Sequence, residues 1–552
     1  MCAGSALELG HMLTTRNSAA WIALALCVSA SRAAANVRGP AQASTMPTAF
    51  ALASPQSAPA AEPQTSPAAA PARDVPAQAS ASADEKIASL AALSDTPKKC
   101  GLGAAFHAGR RAALVAELSR TSSDGIVLVR GLPKTRDYSK FRQDKVFWYL
   151  TGIESPDATL VIDLANKNEI LFLPKPSPWS EAWEGELWDC GDEWVKDLSG
   201  FRDVRPASEL DKTLRELVAR EHVVWISKLP HVELSGCVDR ASPYDLAAEK
   251  DPLDGRGSRE DALEQKLVEL YHAEVRDFAK PLSELRRVKT SEEIDAMRRA
   301  ARAGCEAMKE AIRSTQPGAG EWELEAVMSF VHREQGADGP AYHAIVGSGP
   351  NALMLHYSDN GRRLRAGEVV LLDYAPELDH YTSDITRSWP TDGVFTARMT
   401  EIYDAVLAAQ LAGIAAVKPG ATMRDVHRAC LRVLSDHGFA KLMPHGACHY
   451  IGLEVHDVGL SATPLEPGVA FTVEPGVYDP ESGIGVRIED VVVVTETGCE
   501  VLSAGVPKDR AALVELWREP GLLEARAAPE AKSEAKPAPR AVPAPQPAGG
   551  RR

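Results

Sequence analysis

Apolar residues along this chain recur in two rhythms. From Ala104 to Ser119 they fall at helical spacing, whereas Gly125-Ile-Val-Leu-Val129, Leu160-Val-Ile-Asp163, Ile170-Leu-Phe-Leu173 and Val223-Val-Trp-Ile226 are short apolar runs of strand length. Helices alternating with such strands predict an α/β domain over residues 100–280. Within it, Ser242 to Arg259 is rich in Pro, Gly, Asp and Arg and reads as a surface loop.

A second pattern opens at Arg286. Ser291 is the expected N-cap, with Ile294, Met297, Ala301 and Met308 on one helical face. Strand candidates follow at Val369 to Asp373, Ser383 to Trp389, Ala470 to Glu474 and Val486 to Val494, and no internal repeat is evident. These elements predict a second domain over residues 285–516.

Outside 100–516 the pattern changes character. Arg16, an apolar run from Ala19 to Ala30 and then Ala33-Ala34-Ala35 have the order of a secretory signal peptide over residues 1–35, with Met1 or Met12 as the start. The run is shorter than the roughly 20 residues a spanning helix needs. Export to the periplasm or the extracellular space is therefore expected, without a membrane span. Lipid anchoring at Cys27 is disfavoured, because Leu26 precedes it where a small residue would be wanted. Residues 36–99 and 527–552 are rich in Ala and Pro and read as a disordered linker and tail.

Composition narrows the class. At 552 residues the chain exceeds one hydrophobic core, and 45% hydrophobic with 25% charged residues is the average of soluble globular proteins. A net charge of −15 argues against nucleic acid as partner, since phosphate binding needs clustered Lys and Arg. Nine cysteines without a CxxC pair do not make a zinc knuckle, and no disulfide can be assigned from them.

The candidate chemistry sits at strand ends. Asp373 closes Val369-Val-Leu-Leu-Asp373, and Pro376 to Tyr381 turns the chain so that Ser383 to Trp389 returns as a hairpin partner carrying Asp384. Glu474 follows Phe471-Thr-Val and stops at Pro-Gly, while Glu489 precedes an almost pure valine run. With His449, these make four carboxylates and one imidazole. Acids at the ends of buried runs would carry several kcal/mol of desolvation cost unless compensated. Two divalent cations would neutralise them. The oxygen-rich donor set favours Mn²⁺, with Co²⁺, Fe²⁺ or Zn²⁺ as alternatives, and a purely structural zinc site would be richer in Cys or His. Two metals about 3.5 to 4 Å apart can share a bridging hydroxide that attacks a polarised carbonyl, which is amide hydrolysis.

These residues resemble the creatinase or "pita-bread" metallopeptidases, the family of aminopeptidase P, prolidase and methionine aminopeptidase. The resemblance rests on Ile345-Val-Gly-Ser-Gly349, Leu355-His356-Tyr357, Asp373, Ser383-Asp384-Ile-Thr-Arg387 and His445-Gly446. It continues through His449, Val455-His456-Asp457-Val-Gly459, Thr472-Val-Glu474-Pro-Gly476 and Arg487-Ile-Glu489-Asp490. It implies a curved antiparallel sheet under helices, with Asp373 a terminal ligand, Asp384 and Glu489 bridging, and His449 and Glu474 completing the second metal. Glu474 would also relay a proton. His356 and His456 would donate hydrogen bonds to substrate and tetrahedral intermediate, Arg487 would orient an acidic ligand, and Tyr478 would stand near the metals. Phe141 to Gly152, Leu171-Phe-Leu-Pro174 and Trp183-Glu-Gly185 resemble the N-terminal domain of aminopeptidase P, which methionine aminopeptidases generally lack. Departures are Tyr374-Ala375 after the first acid and Ala447-Cys448 before His449.

The resemblance therefore implies an Xaa-Pro aminopeptidase acting on peptides with proline second, and leaves room for a homo-oligomer. Prolidase, which cleaves Xaa-Pro dipeptides, shares every ligand and is the alternative. A metal-free binding module is a further alternative, disfavoured by the presence of all five ligands. His343, His380 and His445 are read as structural or exposed, Cys448 as a small filler, and the tryptophans of the first domain as core or interface residues.

Overall fold

The computed structural model describes residues 98–122 and 124–523. The expected signal peptide at 1–35, the expected linker up to Pro97 and the expected tail at 527–552 lie outside the described residues. None of the described helices is long and apolar enough to cross a membrane.

The first region is a six-stranded mixed sheet of β1 (Ile126–Arg130), β2 (Thr159–Asp163), β3 (Asn168–Leu173), β4 (Asp203–Pro206), β5 (Val223–Ile226) and β6 (Glu274–Asp277). The spatial order is β4-β3-β2-β1-β5-β6, with β1 antiparallel to β2 and parallel to β5. Alternate residues serve opposite faces, as a two-residue period requires. Ile126 and Leu128 of β1 pack with Leu214, Leu217 and Leu267 of the helices on one side. Val127 and Val129 join Phe147, Trp148 and Leu150 on the other, and that second core continues into Ala296, Met297, Tyr381, Leu453 and Val491. The two regions legible in the sequence are thus joined by one hydrophobic cluster rather than standing apart.

The second region holds β7 (Gly339–Pro340), β8 (Ile345–Ser348), β9 (Val369–Asp373), β10 (Pro376–Leu378), β11 (Tyr381–Thr382) and β12 (Thr386–Pro390), followed by β13 (Ala470–Val473), β14 (Gly476–Asp479), β15 (Ile484–Arg487), β16 (Asp490–Val494) and β17 (Cys499–Val501). They form four short antiparallel ladders, β12-β9-β8, β11-β10-β7, β13-β16-β17 and β14-β15. Inner faces of the helices Ser291–Arg313, Glu321–Glu334, Ala397–Ala415 and Met423–Asp436 cover them through Met308, Ile312, Leu324, Met328, Ile402, Val406, Val426 and Leu434. This is the mixed α/β architecture expected from the pattern, with antiparallel sheets under helices. The same core reaches Leu523, beyond the expected limit at 516.

Four local expectations are corrected. Residues 486–494 are not one strand: β15 and β16 belong to different ladders, and Ile488-Glu489 is the break between them. The return strand opposite Asp373 begins at Thr386 rather than Ser383, because residues 376–382 form a hairpin of their own through β10 and β11. Its two-residue turn, Asp379-His380, has positive φ at both positions (51° and 64°), as the twist of a tight hairpin demands. The helix from Ser291 is capped by Thr290, whose side chain bonds Glu293 N while the Glu293 carboxylate returns to Thr290 N. Finally, much of Ser242 to Arg259 is helical: Val238–Lys250 is a helix with Pro243 inside it, and none of its residues is buried.

Candidate metal centre

Each expected ligand stands where a ladder stops. Asp373 is the last residue of β9, and Asp384 lies just before β12, which pairs with β9 so that Thr386 faces Asp373. Segment 447–450 runs along β13: Thr472 N bonds His449 O, and Glu474 N bonds Ala447 O, each at 2.9 Å. That pairing brings His449 and Glu474 together. β13 stops at Glu474 because Pro475 has no N–H to extend the ladder. Glu489 occupies the break between β15 and β16, fastened by its N–H to Thr386 O (3.1 Å) and by the Thr386 hydroxyl, which donates to Oε2 (2.6 Å).

All five side chains line one cleft of ≈ 380 Å³, within the size range of small-ligand sites. His449 Nε2 is 3.5 Å from Asp384 Oδ2, 3.5 Å from Glu474 Oε1 and 3.8 Å from Glu489 Oε1. Ligand atoms of Asp384, His449 and Glu489 lie within 4.8 Å of one another.

The electrostatics show a shortage of positive charge. Burial, with Asp384 nearby, raises the Asp373 carboxyl to about 6, even though Arg487 opposes it. Burial raises Glu474 to about 7 against His449 and Arg487, and it carries Glu489 well above the carboxylate range with help from the other three acids. Burial acts on Asp384 too, but the hydrogen bond from His449 and its charge outweigh it and hold this acid low. His449 is pushed up to about 9: burial resists, and Asp384 and Glu474 overcome it. The donor set therefore fits divalent cations. Three buried carboxylates, the partly buried Glu474 and one imidazole converge where a single guanidinium, that of Arg487, bonds an acid of the set, and hard oxygen donors with a single nitrogen suit such ions.

The Tyr342 hydroxyl, unforeseen in the sequence, lies 2.6 Å from Asp373 Oδ1 and 2.6 Å from Asp384 Oδ1. A phenol has one hydrogen for these two acceptors, a further sign that the acids crowd one another. Arg487 lies beside Asp373. It donates to Asp373 Oδ2 (2.6 Å), the Tyr478 hydroxyl (2.8 Å) and Thr386 Oγ1 (3.1 Å). Tyr478 in turn meets His445 Nε2 at 3.1 Å, and His445 lines the cleft with Nδ1 3.7 Å from Glu474 Oε2.

His356 and His456 also line the cleft, with His456 4.3 Å from His449 between ring centroids. Burial pushes the imidazoles of His356 and His456 below their ordinary value. Their Nδ1 atoms are held by Arg240 and Asp239, respectively, from the Val238–Lys250 helix. No sequence motif pointed to those two residues or to Tyr342. His343 faces the same cleft, whereas His380 is stacked on Trp148 and bonded to Glu154, a structural role. Cys448 lines the cleft, but burial lifts its thiol well above the usual range, which leaves it protonated. Tyr374 is buried, with its hydroxyl 3.3 Å from Ser329 Oγ and its ring edge-on to Tyr342. Trp148, Trp188 and Trp225 are core, while Trp179 and Trp183 are exposed.

Comparison with known proteins agrees with this geometry. Residues 295–496 match the model of metallopeptidase family M24, and residues 107–225 match that of the aminopeptidase P N-terminal domain. The chain is 32% identical over 434 residues to the Xaa-Pro aminopeptidase of Escherichia coli strain K12, covering 72% of this chain and 94% of that protein. It is 32% identical over 402 residues to Xaa-Pro aminopeptidase 3 of Rattus norvegicus, covering 67% and 75%, respectively. Among solved structures, Pseudomonas aeruginosa aminopeptidase PepP superposes with a TM-score of 0.63 at 31% identity, covering 74% of this chain and 97% of that one.

Proposed function

The chain belongs to metallopeptidase family M24, and on that premise we propose that it is an Xaa-Pro aminopeptidase, hydrolysing the bond between an N-terminal residue and a following proline. The observation that carries this reading is the set of four carboxylates, three of them buried and Glu474 partly so, and His449 around one cleft with too little positive charge of its own.

We propose Asp373, Asp384, His449, Glu474 and Glu489 as the ligands of two divalent ions, Mn²⁺ by preference. Such ions, when bound, would polarise the scissile carbonyl and make water nucleophilic at neutral pH. The remaining steps fall to the chain itself. Arg487 and the Thr386 hydroxyl orient Asp373 and Glu489 by the bonds described above. Glu474, at the edge of the cluster beside His445, takes the proton from water and returns it to the proline nitrogen as the bond breaks. His356 and His456 bind the peptide around the scissile bond. The signal-like segment supports export, and the resemblance supports assembly as a homo-oligomer.

Digestion of an Xaa-Pro-Yaa peptide series with and without Mn²⁺, read by mass, tests the proposal. Release of the first residue from tripeptides and longer peptides, dependent on metal, is expected. Cleavage of Xaa-Pro dipeptides alone would make the protein a prolidase instead.

A further inference from the structure

We propose that the Val238–Lys250 helix, contributed by the N-terminal region, sets the two substrate-binding histidines in opposite tautomers, so that His356 is a hydrogen-bond donor and His456 an acceptor. The inference deepens the aminopeptidase reading and rests on it for its consequences.

The argument is one of donor inventory. A guanidinium only donates, and Arg240 Nη2 lies 3.1 Å from His356 Nδ1. That nitrogen must present its lone pair, so a neutral His356 carries its hydrogen on Nε2. A carboxylate only accepts, and Asp239 Oδ2 lies 2.5 Å from His456 Nδ1. That nitrogen must carry the hydrogen, so a neutral His456 has Nε2 bare. With Nδ1 occupied in each ring, Nε2 is the nitrogen left for a ligand in the cleft that both rings line. Two histidines that look equivalent in the sequence thus become a donor and an acceptor through adjacent residues of one helix.

The helix is anchored for this task. Val238 N donates to Glu454 Oε2 (2.7 Å), and Arg286 holds the other oxygen of Glu454 at 2.6 Å. Glu454 lies two residues before His456, so the helix start and the histidine it addresses share a support. Cys237 Sγ donates to Asp239 Oδ1 (2.7 Å), which leaves Oδ2 for His456.

The division suits an Xaa-Pro peptide. Its scissile carbonyl needs a donor, which His356 provides both before and during attack, when charge builds on the oxygen. The proline nitrogen has no hydrogen. An acceptor at His456 therefore addresses the peptide N–H groups on either side, at the free amino terminus or at the residue after proline. Asp239 and Arg240 act through the histidines and are positioning residues.

Two experiments test this. In the full chain loaded with Zn²⁺ and labelled with ¹⁵N-histidine, side-chain NMR spectra assigned with His356→Ala and His456→Ala should show His356 as the Nε2–H form and His456 as the Nδ1–H form. Identical or reversed tautomers would overturn the proposal whether or not the protein cleaves peptides. In kinetics, Asp239→Asn should be worse than Asp239→Ala, because an asparagine amide can donate to Nδ1 and impose the wrong tautomer. A loss in kcat of at least about 10²-fold is expected for Asp239→Asn, by analogy with other Asp-His pairs, with KM little changed. Equal losses in the two variants would contradict it. Asp239 is half exposed, so both variants should fold.

Discussion

The seam between the two regions and the floor of the cleft both bury acids, yet they settle the charge in opposite ways. In the seam Glu377, fully buried, meets Lys145 at 2.9 Å and Arg142 at 3.5 Å, while Asp457 meets Arg286 at 2.5 Å and Lys289 at 3.1 Å. Burial would raise both carboxyls, but these cations win and hold them below the ordinary range. Glu454, which shares Arg286 with Asp457, is carried upward by burial, and so is Glu293. On the cleft floor, four acids share Arg487 and His449, and three of them are driven up. The divergence is sharpest at two adjacent residues. Asp490 is bound by Arg387 (2.8 Å) and Lys508 (2.6 Å) and stays low, whereas Glu489 has no such partners and rises. A buried acid is ordinary when the chain supplies its cation. Where the chain withholds it, the fold holds a place for a cation from solution.

The strongest way to break this comparison is to remove an acid from the uncompensated set. Asp384→Ala or Glu489→Ala should lower hydrolysis by at least about 10³-fold, on the scale of losing groups that act as a unit, with circular dichroism unchanged. Substantial residual activity would remove their assignment to the metals. Metal-free Glu489→Gln should melt higher than metal-free wild type, because it removes the cost of burying a carboxyl there beside three other acids. The mirror experiment is Lys145→Met in the seam. Leaving Glu377 short of its nearest cation should destabilise the fold by about 3 to 5 kcal/mol in denaturant titrations, equally with and without metal. A loss that disappears on adding metal would show that the seam and the cleft are not independent.

A smaller effect comes from burial without charge. His332 is almost fully buried with neither ring nitrogen hydrogen-bonded, and burial pushes it down to about 3. An unfolded histidine takes up its proton near pH 6.5, while the folded one resists until about pH 3. This site therefore subtracts stability progressively as pH falls between those values. His332→Phe should flatten the acid side of the stability profile, by at most about 1.4 kcal/mol per pH unit. Identical slopes in wild type and variant would refute the assignment.

What could be seen beforehand follows from range. Acids ending apolar runs, as at Asp373 and Glu474, were legible because burial and charge conflict within five residues. The break at Ile488-Glu489 was hidden, since the valines after it suit a strand on either side and only pairing with β13 or β14 divides them. The Val238–Lys250 helix was misread because it buries no face, so no apolar periodicity marks it, and Pro243 suggested a loop. Asp239 and Arg240 reach histidines 217 and 116 positions away, and Tyr342 reaches Asp373 and Asp384 across 31 and 42 positions. Such contacts leave no local trace.

Metal content decides the central claim. Metal-free protein dialysed to equilibrium against Mn²⁺ and analysed by mass spectrometry should hold two ions per chain, and Glu489→Ala should hold fewer. Wild-type protein that stays metal-free at saturating Mn²⁺ while remaining folded would contradict the account.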